Sequence, residues 1–144
     1  MIGFLSGVIK SKEINNLILD VNGVGYQVYV PVFVLENCHL ADKKDFFIHT
    51  HVKEDEISLF GFKKLEDKQI FLGLISVSGV GPKIALNIIS FANGASKIIK
   101  AIQNADVDFF SSVKGIGKKT GQRIIVDLKS KFSGLKDLEF ESEG

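Results

Sequence analysis

Residues 76–89 read SVSGVGPKIALNII and residues 112–125 read SVKGIGKKTGQRII. At an offset of 36 the two stretches share Ser, Val, Gly, Gly, Lys, Ile and Ile, and Val80 answers Ile116. An internal repeat this dense marks a duplicated structural unit. In each copy a Gly-apolar-Gly turn separates two segments whose large aliphatics recur at helical spacing, which predicts a helix, a tight turn and a second helix. Glycine lets the turn adopt positive φ and lets its N–H groups approach a ligand with no Cβ in the way. The next helix starts at once, so its unpaired N–H groups and the positive end of its dipole face the same point. Lys83 and Lys119 follow the second glycine by two residues and add a mobile positive charge there.

This turn resembles the helix-hairpin-helix family, which holds the DNA backbone without reading sequence. A single copy is equally well explained as an αα-hairpin with glycine caps. Two copies with lysine at the same place favour the phosphate clamp.

With 144 residues and 45% hydrophobic content, the chain has room for one domain or two small ones with real cores. No apolar run approaches the ~20 residues that span a bilayer, and residues 1–10 lack the pattern of a signal peptide, so a soluble, unprocessed cytoplasmic protein is expected. Cys38 is the single cysteine, which excludes an intrachain disulfide, an iron–sulfur cluster or a cysteine zinc site within one chain. The net charge of +1 conceals an asymmetry. Residues 1–62 carry 5 basic and 8 acidic side chains, residues 63–135 carry 12 and 5, and residues 136–144 carry 1 and 4. The basic middle segment holds both hairpins, the footprint of a polyanion binder.

Residues 2–9, 17–21, 26–30, 46–52 and 57–62 read as five short strands, with Asn22-Gly23 as a hairpin turn and a less regular stretch over 33–40. That pattern predicts a small barrel of the oligonucleotide/oligosaccharide-binding (OB) type, with an open β-sandwich as the alternative. From Lys63 the period becomes helical, and five helices are expected, the last over 118–132 and closed by Ser133-Gly134. The fold class is therefore α+β, segregated: an OB-like barrel over 1–62, a tandem helix-hairpin-helix domain over 63–135 and an acidic tail over 136–144.

His49 and His51 share a strand face, as a metal pair would, but no third ligand is set by spacing and ordinary strand histidines explain them better. Tyr26, Tyr29, Phe46 and Phe47 fit a base-stacking platform or a core equally well. Glu54, Asp55 and Glu56 fall at the tip between strands four and five. A solvated turn explains them in isolation, yet two like charges about 6 Å apart at an effective dielectric of about 20 repel by roughly 3 kcal/mol before screening, so such a tip would push phosphates away.

The barrel, the acidic hairpin ending in LFGF and two clamps in the order GVGPK then GIGKKT together resemble the RuvA family, as do residues 1–3 and VNGVGY at 21–26. The resemblance runs to about Leu135. It implies sequence-independent binding of four-way (Holliday) DNA junctions in recombination and repair, by a homotetramer or an octamer on DNA. Branch migration is then driven by a RuvB-type hexameric ATPase, so the chain is no enzyme on its own and needs no cofactor. The carried-over roles give Gly79, Gly81, Gly115 and Gly117 as amide donors, and Lys83, Lys118 and Lys119 as charge. Thr120 and Arg123 become further phosphate contacts, and Glu54 and Asp55 a central acidic pin. Gly121 stands where that family usually has alanine, a replacement expected to weaken the helix's first turn by about 1 kcal/mol. Family members continue through a linker into a third domain that docks the motor, while this sequence stops at Gly144.

Two rivals stay open on the residues alone. One is a helix-hairpin-helix glycosylase or lyase with Lys119 as nucleophile and Asp137 as its carboxylate. The other is a single-strand binder that uses the barrel. No Walker-type phosphate loop is present, so ATP use is assigned to a partner.

Overall fold

In the computed structural model the backbone is described for residues 1–143 and the side chains for residues 1–132. The chain divides into two units, Met1–Gln69 and Ile70–Gly144.

The first unit is built from strands β1 (Phe4–Lys12), β2 (Asn16–Val21), β3 (Val24–Tyr29), β4 (Lys43–Val52) and β5 (Ile57–Phe62), with a short helix α1 (Val32–Glu36) between β3 and β4. They close as a barrel in the order β1-β2-β3-β5-β4, the five-stranded arrangement of an OB fold and not the sandwich alternative. Every pairing is antiparallel except β3 with β5, a short parallel contact of Val28 with Leu59 and Tyr29 with Phe60. Inward positions alternate along the strands, and Leu5, Ile9, Leu17, Leu19, Val28, Phe46, Ile48 and Leu59 fill the interior. Gly61 also faces inward, where a Cβ would come 2.6 Å from Val28 Cγ1.

Phe46 is 0% exposed, so it belongs to the core and is removed from the proposed stacking platform. The stretch over 33–40 is also more ordered than its sequence reads. Pro31 caps α1, whose Val34 and Leu35 join the barrel core with Cys38 behind them. A five-residue helix is too short to show a period, which is why it passes for a loop.

The second unit takes up α2 (Leu65–Ile75) part-way along its length, then α3 (Pro82–Ala92), α4 (Ala95–Gln103), α5 (Val107–Ser111) and α6 (Lys118–Glu143). Local chemistry sets the boundaries. Pro82 occupies the first turn of α3, and Asn93 ends that helix in the left-handed region at φ 55°. Asp106 caps α5 by accepting from the Phe109 N–H at 3.1 Å. Ile70, Phe71, Leu74, Ile88, Ile89, Ile98, Phe110, Ile124, Leu128 and Phe132 are buried. Gly73 makes room for the last of these, since a Cβ there would run into the Phe132 ring.

The final helix does not close at Ser133-Gly134 but is helical through Glu143. The acidic stretch 136–144, read as a tail, lies outside the residues whose side chains are described.

Candidate nucleic-acid interface

The two repeated stretches fold into the same turn, with three matching backbone hydrogen bonds in each. In the first hairpin Val77 N–H donates to Leu74 O, Val80 N–H to Val77 O and Ala85 N–H to Gly81 O, at 3.1, 3.0 and 2.9 Å. In the second, Val113 N–H donates to Phe110 O, Ile116 N–H to Val113 O and Gly121 N–H to Gly117 O, at 3.1, 3.1 and 3.0 Å. Gly79 and Gly115 turn the chain at φ 90° and 93°. Val77 with Val80, and Val113 with Ile116, are buried beneath the turns and hold their shape.

Within each pair the glycines differ in what the fold asks of them. The first needs positive φ, which an L side chain adopts only with strain. The second does not. Gly81 sits at φ −88°, and neither it nor Gly117 is in the positive-φ region. A Cβ built on either would meet nothing within 4 Å. No packing or backbone requirement inside the described chain therefore calls for glycine at 81 or 117. What the missing side chain leaves open is the start of α3 and of α6. There the N–H groups of Lys83 and Ile84, and of Lys118, Lys119 and Thr120, precede the first intrahelical bond and have no helical acceptor. A bare helix start of this kind receives a phosphate oxygen well.

The surrounding charge agrees. Lys83, Lys118, Lys119 and Arg123 are exposed, Thr120 is half-buried, and among the described residues none of the four cations is in an ion pair. The structure also brings the two turns together, because Thr120 Oγ1 lies 4.0 Å from where a Gly79 Cβ would be. Lys114, exposed in the second turn where the first has Ser78, joins this surface without having been singled out from the sequence. Its signal was its place in the repeat.

Gly121 is buried against α5, with an added Cβ 3.3 Å from Phe110 Cβ, and its N–H still makes the first α6 bond. The glycine is thus a close-packing site between α5 and α6. Any helix-propensity cost is accompanied by that close approach.

In the barrel unit, Glu54 and Asp55 form the tip of the β4–β5 hairpin, closed by Lys53 N–H to Glu56 O at 2.8 Å. Glu56 is drawn back by Ser58 Oγ, which donates to its carboxylate at 2.8 Å. Glu54 and Asp55 are exposed, and neither is in an ion pair among the described residues. All three carboxylates are exposed, and Glu54 and Asp55 are the two at the tip itself.

His49 and His51 lie side by side on β4 with ring centroids 5.7 Å apart, and among the described residues no set of three metal-ligand side chains is assembled. Burial holds the His49 imidazolium below its ordinary pKa, with His51 and then Lys68 adding repulsion. Tyr29 packs on Phe60 and Phe47 on Phe4, with centroids 5.5 and 5.8 Å apart. A cleft of about 410 Å³ opens beside the short β3–β5 contact, lined by Tyr26, Gln27, Tyr29, Glu56, Ile57 and their neighbours. Its lining holds a carboxylate and no lysine or arginine, a poor bed for a single strand's phosphates. Asp137, the carboxylate that the lyase reading needs, lies outside the described side chains.

Residues 1–61 match the family model for the RuvA N-terminal domain, and residues 71–130 match that for the SAM-like helix-hairpin-helix tandem. The chain is 38% identical over 141 residues to the Holliday junction branch migration complex subunit RuvA of Histophilus somni, covering 97% of this chain and 69% of that one. The chain belongs to the RuvA family. The RuvA subunit of Geobacter sulfurreducens is 45% identical over 132 residues, which cover 91% of this chain and 66% of its own, slightly under two thirds. That of Actinobacillus pleuropneumoniae serotype 5b is 38% identical over 144 residues, covering 99% and 71%. The first family model ends within β5 and the second begins within α2, and the hairpin with its acidic tip lies in the first of them. Among the described residues no helix is long and apolar enough to cross a membrane.

Proposed function

We propose that this chain binds four-way DNA junctions irrespective of sequence and holds them open for a partner motor in recombination and repair. One observation carries the reading: Gly81 and Gly117 are glycine although the described chain makes no demand for it, and the space they leave lies over unpaired amides beside unpaired cations. That arrangement suits a close, sequence-blind contact with backbone phosphates. Gly79, Gly81 and Lys83 form one clamp. Gly115, Gly117, Lys118, Lys119, Thr120 and Arg123 form the other.

Glu54 and Asp55 then act by repulsion. In a tetramer with fourfold symmetry, or two tetramers face to face, the tips gather where the arms cross and make that point a poor place for phosphate, so strands separate there as they exchange partners. Eight clamps per tetramer would hold the arms. ATP hydrolysis belongs to a RuvB-type hexameric motor, and this subunit acts in the cytoplasm without a cofactor of its own.

The test is a competition among a four-way junction, linear duplex and single strand of matched length, with the mass of the protein measured alone and with the junction. Strong preference for the junction and a fourfold or eightfold assembly are expected. Equal affinity for linear duplex would overturn the junction reading. Covalent trapping of abasic DNA by borohydride, lost in Lys119→Ala, would favour the lyase instead.

A further inference from the structure

The barrel segment is acidic in sum, yet all but one of its lysines gather at one end. Strand β4 begins with Lys43-Lys44 and ends at the acidic hairpin. Antiparallel pairing of Val8 with Lys43 puts the last residues of β1, Lys10 and Lys12, at the Lys43 end. Antiparallel pairing of Phe47 with Phe62 brings β5 out at the same end, with Lys63 and Lys64 next in the chain. Of these side chains, Lys12, Lys44 and Lys63 come near Cys38, just past the end of α1. Lys12 Nζ donates to Cys38 O at 2.7 Å, and Lys63 Nζ donates to Asp45 O at 3.4 Å and lies 5.5 Å from the Phe46 ring centroid. Burial pushes the Cys38 thiol up, and Lys44, Lys63 and Lys12 are near enough to oppose that push.

The carboxylates at this end are Glu13, Glu36, Asp42 and Asp45, with Asp20 level with Lys43 through Val8, and Glu66 and the buried Asp67 in the first turn of α2 just past Lys64. Asp42 faces His39 at 3.4 Å, and Asp45 accepts from Ser6 Oγ at 2.6 Å. Among the described residues none of the six ammonium groups is in an ion pair. Like charges gathered without ion-pair partners oppose folding, and a polyanion would relieve them.

We infer that the basic end of the barrel is a second phosphate-binding surface, which contacts the backbone of a duplex arm away from the crossover. The distance follows from β4. Its ten residues at about 3.3 Å each place the basic end roughly 30 Å from the acidic tip. With the tips at the crossover and β4 running along an arm, 30 Å corresponds to about nine base pairs at ~3.4 Å per pair. This inference rests on the junction reading above.

The experiment compares Lys43→Gln/Lys44→Gln/Lys64→Gln with wild type on junctions whose loop-closed arms are about 6 or about 20 base pairs, by fluorescence anisotropy across a salt series. Lys12 and Lys63 are kept because they hold backbone carbonyls. Each lost contact should weaken binding about fivefold near 0.15 M salt and lower the salt slope by about 0.9, on long arms only. Equal loss on both junctions would mean diffuse charge and no arm contact, and no loss on either would mean no contact at all; both overturn the inference. Should the triple variant melt lower than wild type, exposed Lys43→Gln alone repeats the comparison. Lys83→Ala/Lys119→Ala serves as the clamp control. If it too binds like wild type, the junction reading has failed and not merely its extension.

Discussion

Replacing Gly117 by alanine separates a clamp from a mere turn. The backbone at 117 is not in the positive-φ region, and an added Cβ meets nothing within 4 Å. Two small effects of opposite sign remain in folding. Alanine caps a helix less well than glycine, by on the order of 0.5 kcal/mol, and it restricts the unfolded chain, a gain of about 0.4–1 kcal/mol. Stability should therefore change by no more than about 0.5 kcal/mol. Binding should respond differently, since the methyl group occupies the approach to the Lys118, Lys119 and Thr120 amides. A hydrogen bond from such an amide to a charged phosphate contributes about 1.5–3 kcal/mol, so its loss weakens binding roughly 10- to 150-fold. Gly115→Ala is the contrasting variant: at φ 93° an alanine costs about 1–2 kcal/mol, and a domain of this size loses roughly 4–8 °C of melting temperature per kcal/mol. Urea denaturation and junction anisotropy on both variants read the two quantities separately. Gly117→Ala that destabilises as much as Gly115→Ala, or that binds like wild type, would refute the assignment of the second glycine to ligand approach.

Lys83→Ala with Lys119→Ala should weaken junction binding and lower its salt slope by about 0.9 for each phosphate contact removed; an unchanged slope would make both lysines ordinary surface charge. Glu54→Gln with Asp55→Asn should leave stability alone, because both side chains are exposed and unpaired. Junction affinity should hold or rise while strand exchange is altered, and a large loss of affinity would count against a repelling tip. His49 supplies a pH dependence. Its folded pKa lies below the ordinary ~6.5, so the folded state binds fewer protons than the unfolded one. The stability it contributes is complete above that value and is lost as the pH falls below it. His49→Gln should flatten the decline of the urea midpoint between pH 8 and 5, and parallel curves would exclude His49 as its source.

The sequence alone determined the duplicated hairpin, the acidic tip and the change from strand to helix period near Lys63. These are features of neighbouring residues, where spacing, glycine and charge act directly on the backbone. Tertiary structure decided which glycines the fold requires, because the environment of a missing Cβ is made by distant segments: Phe132 over Gly73, Phe110 beside Gly121, and nothing beside Gly81 or Gly117. It likewise revealed α1 as part of the barrel core and moved Phe46 from a candidate surface into it. Closure of the barrel did one thing more that no window of sequence contains. By laying β1, β4 and β5 alternately up and down, it brought lysines from three separated stretches to one end and left the acidic tip at the other.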